Sequence, residues 1–447
     1  MKVKYFLSFF PIIIYSITFA YARDVEIGFW TKNDPIDYRN GSIKMAVMIL
    51  NEELKIEGAD VQVVAKIRSW DGGKAWSNLK QAYSLAMEAG TGPTIILSGH
   101  EDIAVWGNSG LIQPIDELLD LDTWPMSNIV ESLWGPMSWN GKIWAVPQDA
   151  EARLLFFWNK HLAKIGYSKS DLEAFPNKIA SGSYTLYDVL KDAQKMQDQG
   201  VVQKGFGFYP RPKKGGDYWQ FYRAFDGDMQ DSATGKLVLD KQALLAYYQF
   251  FHDAVYKYEV TSKNHIGTSW SNWHAAVTSG KAGIWHGGTW QRAEWVDMIG
   301  FHSFNENVGF GLMPAGKSGF KPTTLTHPLA YMISRNNDEL SQLAARIIAI
   351  ATEPRINSLH AIKSSHLGIT KVQDAQEFYK NNQWPSDTSS LLENAFSLPN
   401  NTSFGQYDIA VWNGLTAVWS GRLTPQESVD YITKELNATM GGKVIIK

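Results

Sequence analysis

The chain has 447 residues, of which 42 are Lys or Arg and 45 are Asp or Glu, giving a formal net charge of −3. This length fits two lobes of ordinary domain size better than one small core. The slight negative charge excludes nucleic acid as the main partner. Because the sequence contains no cysteine, we expect no disulfides, no thiolate metal site and no lipid anchor. Aromatic residues are abundant, with 18 Trp, 19 Tyr and 21 Phe.

Residues 1–22 predict a secretory signal peptide. Lys2 and Lys4 give it a positive start, an apolar stretch follows, and Ala20-Tyr21-Ala22 has the small-x-small pattern of a cleavage site. The apolar stretch is interrupted by Pro11 and is shorter than the ~20 residues that a membrane-spanning helix needs. We therefore expect cleavage after Ala22 and a mature protein exported to the periplasm without a membrane anchor.

Strand and helix patterns alternate at the start of the mature chain. Strands are predicted over 25–30, 61–67 and 94–98, with a helix capped by Ser42 after the first and a helix ending near Gly90 after the second. Strands separated by helices at this spacing are typical of a parallel sheet with right-handed crossovers. The first lobe is therefore predicted to be α/β.

Similar patterns continue to the end of the chain without an internal repeat. Capping boxes at 185–188 and 424–427 predict two helix starts. Further elements are predicted from apolar spacing: helices over 244–258 and 340–350, and strands over 205–209, 282–285, 308–313 and 330–334. Since no low-complexity linker interrupts the chain, we expect the lobes to be joined by short crossing segments.

Ligands of open parallel sheets bind beside the carboxyl ends of the strands. Applied to the first three predicted strands, this rule selects the loops 30–34, 69–71 and 98–102, which combine indole rings with carboxylates. Such groups suit a sugar, because carboxylates accept hydrogen bonds from hydroxyls and aromatic rings stack on C–H faces. The candidate contact residues in these loops are Trp30, Asp34, Trp70, Asp71, His100 and Glu101. Core packing for the two indoles, and ordinary loop roles for the acids, are the alternatives.

Four segments resemble, in order, those of maltose-type periplasmic solute-binding proteins of bacterial ABC importers. They are TIILSGHEDIAVWGNSGLIQPI at 94–115, NGKIWAVPQDAEARLLFFWNKHL at 140–162, SNWHAAVTSGKAGIWHGGTW at 271–290 and the helix pattern at 423–437. The resemblance covers nearly all of the mature chain and implies an α/β, two-lobed fold with discontinuous domains and a ligand cleft at the hinge. By this analogy lobe one is 23–149 plus 314–367, and lobe two is 150–313 plus 368–447.

The resemblance also implies a function and a set of site residues. It implies a monomer that captures a small carbohydrate, closes on it and passes it unchanged to an inner-membrane permease, without a cofactor. The implied ligand contacts are Glu101, Glu151, Tyr209, Trp290, Tyr407 and Asp408, with Gly288 allowing close approach beside Trp290. Arg153 is expected either to pair with Glu151 or to bind a ligand carboxylate or sulfonate. Trp270 and Trp273 are expected to be packing residues.

Three positions depart from the family pattern. Ser98 stands where relatives have a stacking Trp, Asp102 where they have Arg, and His327 where glycine is common. These differences favour a sugar other than a linear maltodextrin, such as a smaller one.

Two other classes of function are alternatives for this sequence. A secreted glycoside hydrolase would need two carboxyl groups across a scissile bond, and the same fold could bind a polyol phosphate, a polyamine or ferric ion instead of a sugar. His100-Glu101 begins an H-E-x-x-H pattern, but residue 104 is Ala. The ten histidines show no metal-ligand spacing, so the sequence predicts neither a metal site nor an enzyme.

Overall fold

The computed structural model describes residues 22–32, 38–72 and 74–447. Residues 1–21 of the predicted signal peptide and the candidate Asp34 lie outside the described residues. The strands are β1 Arg23–Lys32, β2 Val61–Trp70, β3 Ile95–Gly99, β4 Ser138–Trp139, β5 Lys142–Ile143, β6 Ala145–Pro147, β7 Arg153–Trp158, β8 Leu237–Leu239, β9 Ile284–Gly288, β10 Val308–Gly311, β11 Thr324–Leu325, β12 Leu329–Ile333, β13 Ala395–Phe396 and β14 Val444–Ile446.

Helices of very different length connect these strands. They are α1 Tyr38–Glu57, α2 Ala75–Glu88, α3 Ile103–Asn108, α4 Trp134–Met137, α5 Asn159–Lys164, α6 Lys169–Ala180, α7 Leu186–Asp198, α8 Trp219–Ala224, α9 Lys241–His252, α10 Trp270–Thr278, α11 Gln291–Ala293, α12 Phe304–Asn307, α13 Asp338–Ala351, α14 Pro354–Ser364, α15 Glu377–Lys380, α16 Gln383–Thr388, α17 Phe404–Trp419 and α18 Pro425–Met440.

The first lobe is built on a five-stranded sheet in the order β2-β1-β3-β12-β6. Strands β1, β2 and β3 are parallel, as the sequence predicts, and β12 is antiparallel to both of its neighbours. All residues of β3 and β12 are buried, which explains why Ser98 is the one hydroxyl-bearing aliphatic side chain in these otherwise apolar or aromatic strands. Since β12 comes from much later in the chain, the first lobe is assembled from separate segments of sequence.

Helix ends in this fold follow local signals at some places and packing at others. The capping boxes of Thr185 and Thr424 both form, at the starts of α7 and α18. The predicted N-cap at Ser42 is wrong, because α1 already begins at Tyr38 and buries Ser42 inside the helix. The apolar face that includes Ile43 and Leu50 packs in the first lobe's core, and this packing decides where the helix lies.

The second lobe is built on the antiparallel sheet β10-β7-β9, with a large aromatic core behind it. The strand predicted over 205–209 is wrong, since that segment makes only isolated bridges from Phe206 and Phe208. Gly205 has a φ of +82° and Pro210 has no N–H to donate, so the pairing cannot continue in either direction.

Short segments join the two sheets. Residues 148–152 run directly from β6 to β7, and residues 312–328 lead from β10 back to β12. Ala150 and Leu367 exchange backbone hydrogen bonds of 3.0 and 2.8 Å, so a third segment lies beside the first crossing. These crossings agree with the expectation that no long tether separates the lobes. Within the described part of the chain, no helix combines the length and apolarity that crossing a bilayer requires.

Candidate functional site

A cleft of about 540 Å³ lies beside the end of β3 and the start of β7. Both lobes contribute to its walls, and the lining includes nine charged residues: Lys32, Arg39, Lys80, Glu101, Glu151, Arg153, Arg211, Asp217 and Glu294. Aromatic residues complete the walls: Trp76, Trp270, Trp290, His274, His327 and His366. The cleft is therefore polar, with exposed ring surface among paired charges.

The first lobe's wall follows from the register of β3 and β12. These strands are antiparallel and Gly99 pairs with Leu329, so the residues just after β3 meet the residues just before β12. The His327 Nε2 atom consequently lies 2.8 Å from Glu101 Oε2, and the rings of His100 and His327 are 4.9 Å apart. Tertiary pairing thus brings together side chains from distant parts of the sequence.

Lys80 ties the carboxylates of this wall together. Its Nζ atom lies 3.1 Å from Glu101 Oε1 and 2.7 Å from Asp102 Oδ1. Burial works against charged Glu101, but Lys80 and His327 outweigh it and hold the pKa of Glu101 well below its ordinary value. Burial raises the pKa of Asp102 to about 6, and it lowers the pKa of His100 to about 4. At neutral pH, His100 is therefore uncharged beside an ionised Glu101.

The second lobe's wall follows from the register of β7 and β9. Arg153 at the start of β7 pairs with Gly288 at the end of β9, so Trp290, two residues later, comes next to Arg153. The guanidinium carbon of Arg153 lies 4.3 Å from the centre of the Trp290 ring. Arg153 also donates to Glu151 Oε1 from Nε at 2.8 Å, which is the pairing that the sequence offered as one alternative.

Asp217 joins the two arginines of this wall. Arg153 Nη1 donates to one of its carboxylate oxygens, and Arg211 Nη1 donates to the other at 2.6 Å. Burial opposes ionisation of Asp217, but the two guanidinium groups outweigh it and hold its pKa below the ordinary value. Because each charge is paired and hydrogen-bonded, the arginines are held in fixed positions at the cleft surface.

Three half-buried indole rings line the cleft, one from the first lobe and two from the second. Trp76 lies in the first turns of α2, Trp270 opens α10, and Trp290 follows β9. Arg211 is 4.7 Å from the centre of the Trp270 ring and 5.6 Å from that of Trp290. The arrangement offers flat apolar surfaces beside fixed hydrogen-bonding groups, which is the combination that a hydroxyl-rich ring needs.

Five of the predicted contact residues line the cleft together, namely Glu101, Glu151, Arg153, Trp290 and His327. The structure places the other described candidates outside this lining: Trp30, Trp70, Asp71, His100, Tyr209, Gly288, Tyr407 and Asp408. His100 lies directly behind the wall, fully buried, with Nε2 3.2 Å from Leu398 O. Gly288 lies beneath Trp290, and a Cβ atom there would meet the ring at 1.6 Å.

Trp30 and Trp70 pack against each other instead of facing the cleft. Their ring centres are 4.9 Å apart, and Arg68 lies 4.9 and 4.5 Å from the two rings. Both indoles pack on the small apolar cluster behind β3. Asp71 is exposed on the loop that follows.

The candidates near the second lobe's core are also engaged elsewhere. Tyr209 is 6% exposed and stacks on Phe206 at 5.0 Å. Tyr407 is fully buried on α17 and donates to Val238 O at 2.7 Å. Asp408 accepts a 2.8 Å hydrogen bond from Trp219 Nε1 and pairs with Lys214. Helix α17 turns these two side chains toward the lobe's own core and edge, because its apolar face packs there.

Sequence reasoning missed several residues of the cleft. Trp270 was expected to be a packing residue like Trp273, but it is half-buried in the cleft wall while Trp273 is fully buried. A Trp at the exposed start of a helix, three residues before another Trp, was the available signal. Arg211 lies in the loop after the mispredicted strand and Asp217 in the short 3-10 helix Gly216–Tyr218, and no periodic pattern marks either residue. Trp76 and Lys80 lie on helix α2. The amphipathic pattern of this helix does not show which of its side chains line a cleft shared with the other lobe.

Comparison with known proteins gives a family match. The model of the family described as bacterial extracellular solute-binding protein matches residues 57–354. A curated relative, the maltotriose-binding protein of Pyrococcus abyssi, is 23% identical over 221 residues. That match covers 48% of this chain and 41% of the relative, so it spans less than half of the relative's length.

Solved structures resemble the whole fold. The GacH receptor of Streptomyces glaucescens, solved unliganded and with acarbose, superposes with a TM-score of 0.70 at 15% identity, covering 93% of this chain and 98% of that one. An ABC transporter solute-binding protein of Thermotoga lettingae, bound to α-D-tagatose, has a TM-score of 0.71 at 16% identity, with 93% and 99% covered. These matches confirm the predicted two-lobed α/β fold.

Proposed function

This chain belongs to the family of bacterial extracellular solute-binding proteins, and we propose that it captures a small carbohydrate in the cleft between its lobes. We further propose that it passes the sugar unchanged to an inner-membrane ABC permease, acting as a monomer in the periplasm after its signal peptide is removed. In this proposal the lobes are 23–149 plus 314–367 and 150–313 plus 368–447. The maltotriose, acarbose and tagatose of the relatives support the class of ligand, not its identity.

The observation that carries this proposal is the placement of three half-buried indoles around paired charges. Trp76 belongs to one lobe, and Trp270 and Trp290 to the other. Most proteins bury indoles or cover them, so three ring surfaces on one polar cleft favour a ligand with flat C–H faces. The volume of about 540 Å³ lies within the range of about 300–1,000 Å³ for small-molecule sites.

Binding of this kind couples the ligand to closure of the lobes. A sugar held between Trp76 and Trp290 makes contacts that are complete only when the two walls are close together. Because a ligand shifts an equilibrium by its difference in affinity for two states, such contacts stabilise the closed form. The permease would then distinguish the loaded protein from the empty one by its shape.

The paired state of the carboxylates supports binding without chemistry. Glu101 is held by Lys80 and His327, and Glu151 by Arg153. A general acid needs a raised pKa, whereas the neighbours of Glu101 lower its pKa. Burial raises the pKa of Asp102 to about 6, but Asp102 is not part of the cleft lining. The cleft therefore fits a role in recognising hydroxyl groups better than one in cleaving a glycosidic bond.

Calorimetric titration of the mature protein tests the proposal. The panel contains mono- and disaccharides, sugar acids, a polyol phosphate, a polyamine and ferric citrate, and tryptophan fluorescence is recorded in parallel. We expect one sugar to bind with one-to-one stoichiometry and to change the fluorescence. Tight binding of a non-sugar, with no sugar bound, would contradict the ligand class. Release of products from oligosaccharides at catalytic rates would contradict binding without chemistry.

A further inference from the structure

The cluster of Glu101 and His327 in the first lobe's wall and His100 directly behind it has the composition of a metal site. Each side chain offers one ligand atom, and the three atoms lie within 4.8 Å of one another. Two imidazole nitrogens with one carboxylate oxygen form the ligand set of zinc sites that keep an open coordination position. Spacing along the chain does not predict this group, because His327 is far from His100 in the sequence.

The ring orientation of His100 leaves a lone pair for such a metal. Its Nε2 atom is 3.2 Å from Leu398 O, and a carbonyl oxygen only accepts hydrogen bonds, so Nε2 carries the proton. In the neutral ring, Nδ1 then keeps its lone pair. His100 is fully buried, yet Nδ1 has no hydrogen-bond partner among the residues that the structure describes. A buried acceptor without a partner is costly unless another group occupies its lone pair.

Glu101 offers a second buried acceptor at the same place. Its Oε2 atom is 2.8 Å from His327 Nε2, in the ion pair described above, and no other described residue donates a hydrogen bond to it. Lys80 holds the other oxygen, Oε1, at 3.1 Å, which fixes the carboxylate in the way that outer hydrogen bonds orient metal ligands. The Leu398 carbonyl does the same for His100. Since Lys80 is also paired with Asp102, two carboxylates face one ammonium group, and a metal ion that replaces the proton of His327 would meet one net negative charge.

We propose that His100 Nδ1, Glu101 Oε2 and His327 Nε2 bind one divalent transition-metal ion, such as Zn²⁺, in the wall of the cleft. Imidazole-rich sites of this kind favour zinc, cobalt, nickel and copper over magnesium or calcium. Glu101 and His327 line the cleft, so the open coordination positions of the metal face its interior. There, water or an oxygen atom of the bound ligand completes the coordination shell. Metal binding at this position does not require the ligand of the cleft to be a sugar.

A second histidine group in the chain provides the internal comparison. Asp149, His360 and His366 also place their ligand atoms within 4.8 Å of one another. His360 there contacts two acceptors, Tyr38 O at 3.3 Å and Asp149 Oδ2 at 3.0 Å, so both of its nitrogens already have partners. Arg39 lies 4.0 Å from Asp149 and adds a positive charge. We therefore assign metal binding to the group at Glu101.

The test uses tag-free mature protein stripped of metal with a chelator. It is titrated with CoCl₂ while the visible absorption is followed, and zinc is counted by mass spectrometry after dialysis against ZnCl₂. We expect one equivalent of either metal, with cobalt bands of a four- or five-coordinate site. Glu101→Gln and His327→Gln should each weaken cobalt binding at least tenfold, while His360→Gln and the exposed His302→Gln should leave it unchanged.

Circular dichroism and thermal unfolding show whether each variant is folded. If either Glu101→Gln or His327→Gln does not fold, the other still tests the site. Absence of saturable binding at one equivalent would overturn the proposal. So would unchanged affinity in both Glu101→Gln and His327→Gln, or loss of binding in His360→Gln alone. None of these readouts uses a sugar, so they stay separate from the test of the proposed function.

Discussion

The guanidinium carbon of Arg153 lies 4.3 Å from the centre of the Trp290 ring. Arg153 pairs in the sheet with Gly288 of the neighbouring strand β9, two residues before Trp290. Arg153 is also bound to Glu151 and Asp217, so this charge cannot move without breaking two ion pairs. The ring of Trp290 is therefore held against a fixed cation, and its remaining surface is presented to the cleft.

Replacing Trp290 by Ala should weaken sugar binding by roughly 1–3 kcal/mol, the scale of a well-packed aromatic anchor. The ring supplies apolar surface for the sugar, and its loss also exposes Arg153. Calorimetry with the sugar identified in the panel measures the change. Trp70→Ala is the matched control, because Trp70 is a half-buried indole outside the cleft lining. Equal effects of the two substitutions would remove Trp290 from the binding site.

Replacing Gly288 by Ala should weaken the same binding while leaving the fold intact. The added Cβ atom would meet the Trp290 ring at 1.6 Å, so the ring must leave its position beside Arg153. Gly405→Ala is the control, since a Cβ atom there meets nothing within 4 Å. Affinity and near-ultraviolet circular dichroism report the outcome. A Gly288→Ala protein with unchanged affinity would show that the ring position does not matter for binding.

Asp217→Asn should destabilise the protein by about 3–5 kcal/mol, the cost of removing one partner from a buried ion pair. Asp217 is 1% exposed and is bound by both Arg153 and Arg211, so the substitution leaves two guanidinium groups without their shared anion. Urea unfolding at pH 7 measures the change. The exposed pair of Arg223 and Asp228 provides the control, and Asp228→Asn should cost less than about 1 kcal/mol.

Stability should fall as the pH decreases from 6.5 toward 4, partly because of His286. This side chain is fully buried, and burial lowers its pKa from 6.5 to about 3. A histidine whose folded-state pKa is lowered contributes stability above its unfolded pKa and loses it as the pH falls, at most about 2 kcal/mol between pH 6.5 and 5. Urea unfolding at several pH values measures this slope.

His286→Phe should make that slope shallower. Neither ring nitrogen of His286 has a hydrogen-bond partner among the described residues, so an apolar ring of similar shape fits the site at little cost. His302→Phe, at an exposed position, should keep the wild-type slope. If His286→Phe unfolds with an unchanged pH dependence, His286 is not one of the groups that set acid sensitivity.

Local patterns were sufficient wherever neighbouring residues decide the structure. The capping boxes at Thr185 and Thr424 and the apolar strands around Ile27 and Ile96 were all predicted, because each depends on contacts within a few residues or on simple burial. Ser42 was mispredicted as an N-cap, since packing on the sheet extended its helix. The segment after Gly205 was mispredicted as a strand, since its apolar pattern does not show that its pairing is limited to isolated bridges.

The amino-acid sequence by itself determined the α/β character of this chain, its two-lobed architecture through family resemblance, and part of its candidate site. Only the tertiary structure decided which polar and aromatic side chains meet. Strand register places Glu101 beside His327 and Arg153 beside Trp290, whereas Tyr407 is turned into the core. The physical reason is that a side chain's surroundings depend on strands and helices far away in the chain, and no local pattern records how those distant elements are aligned.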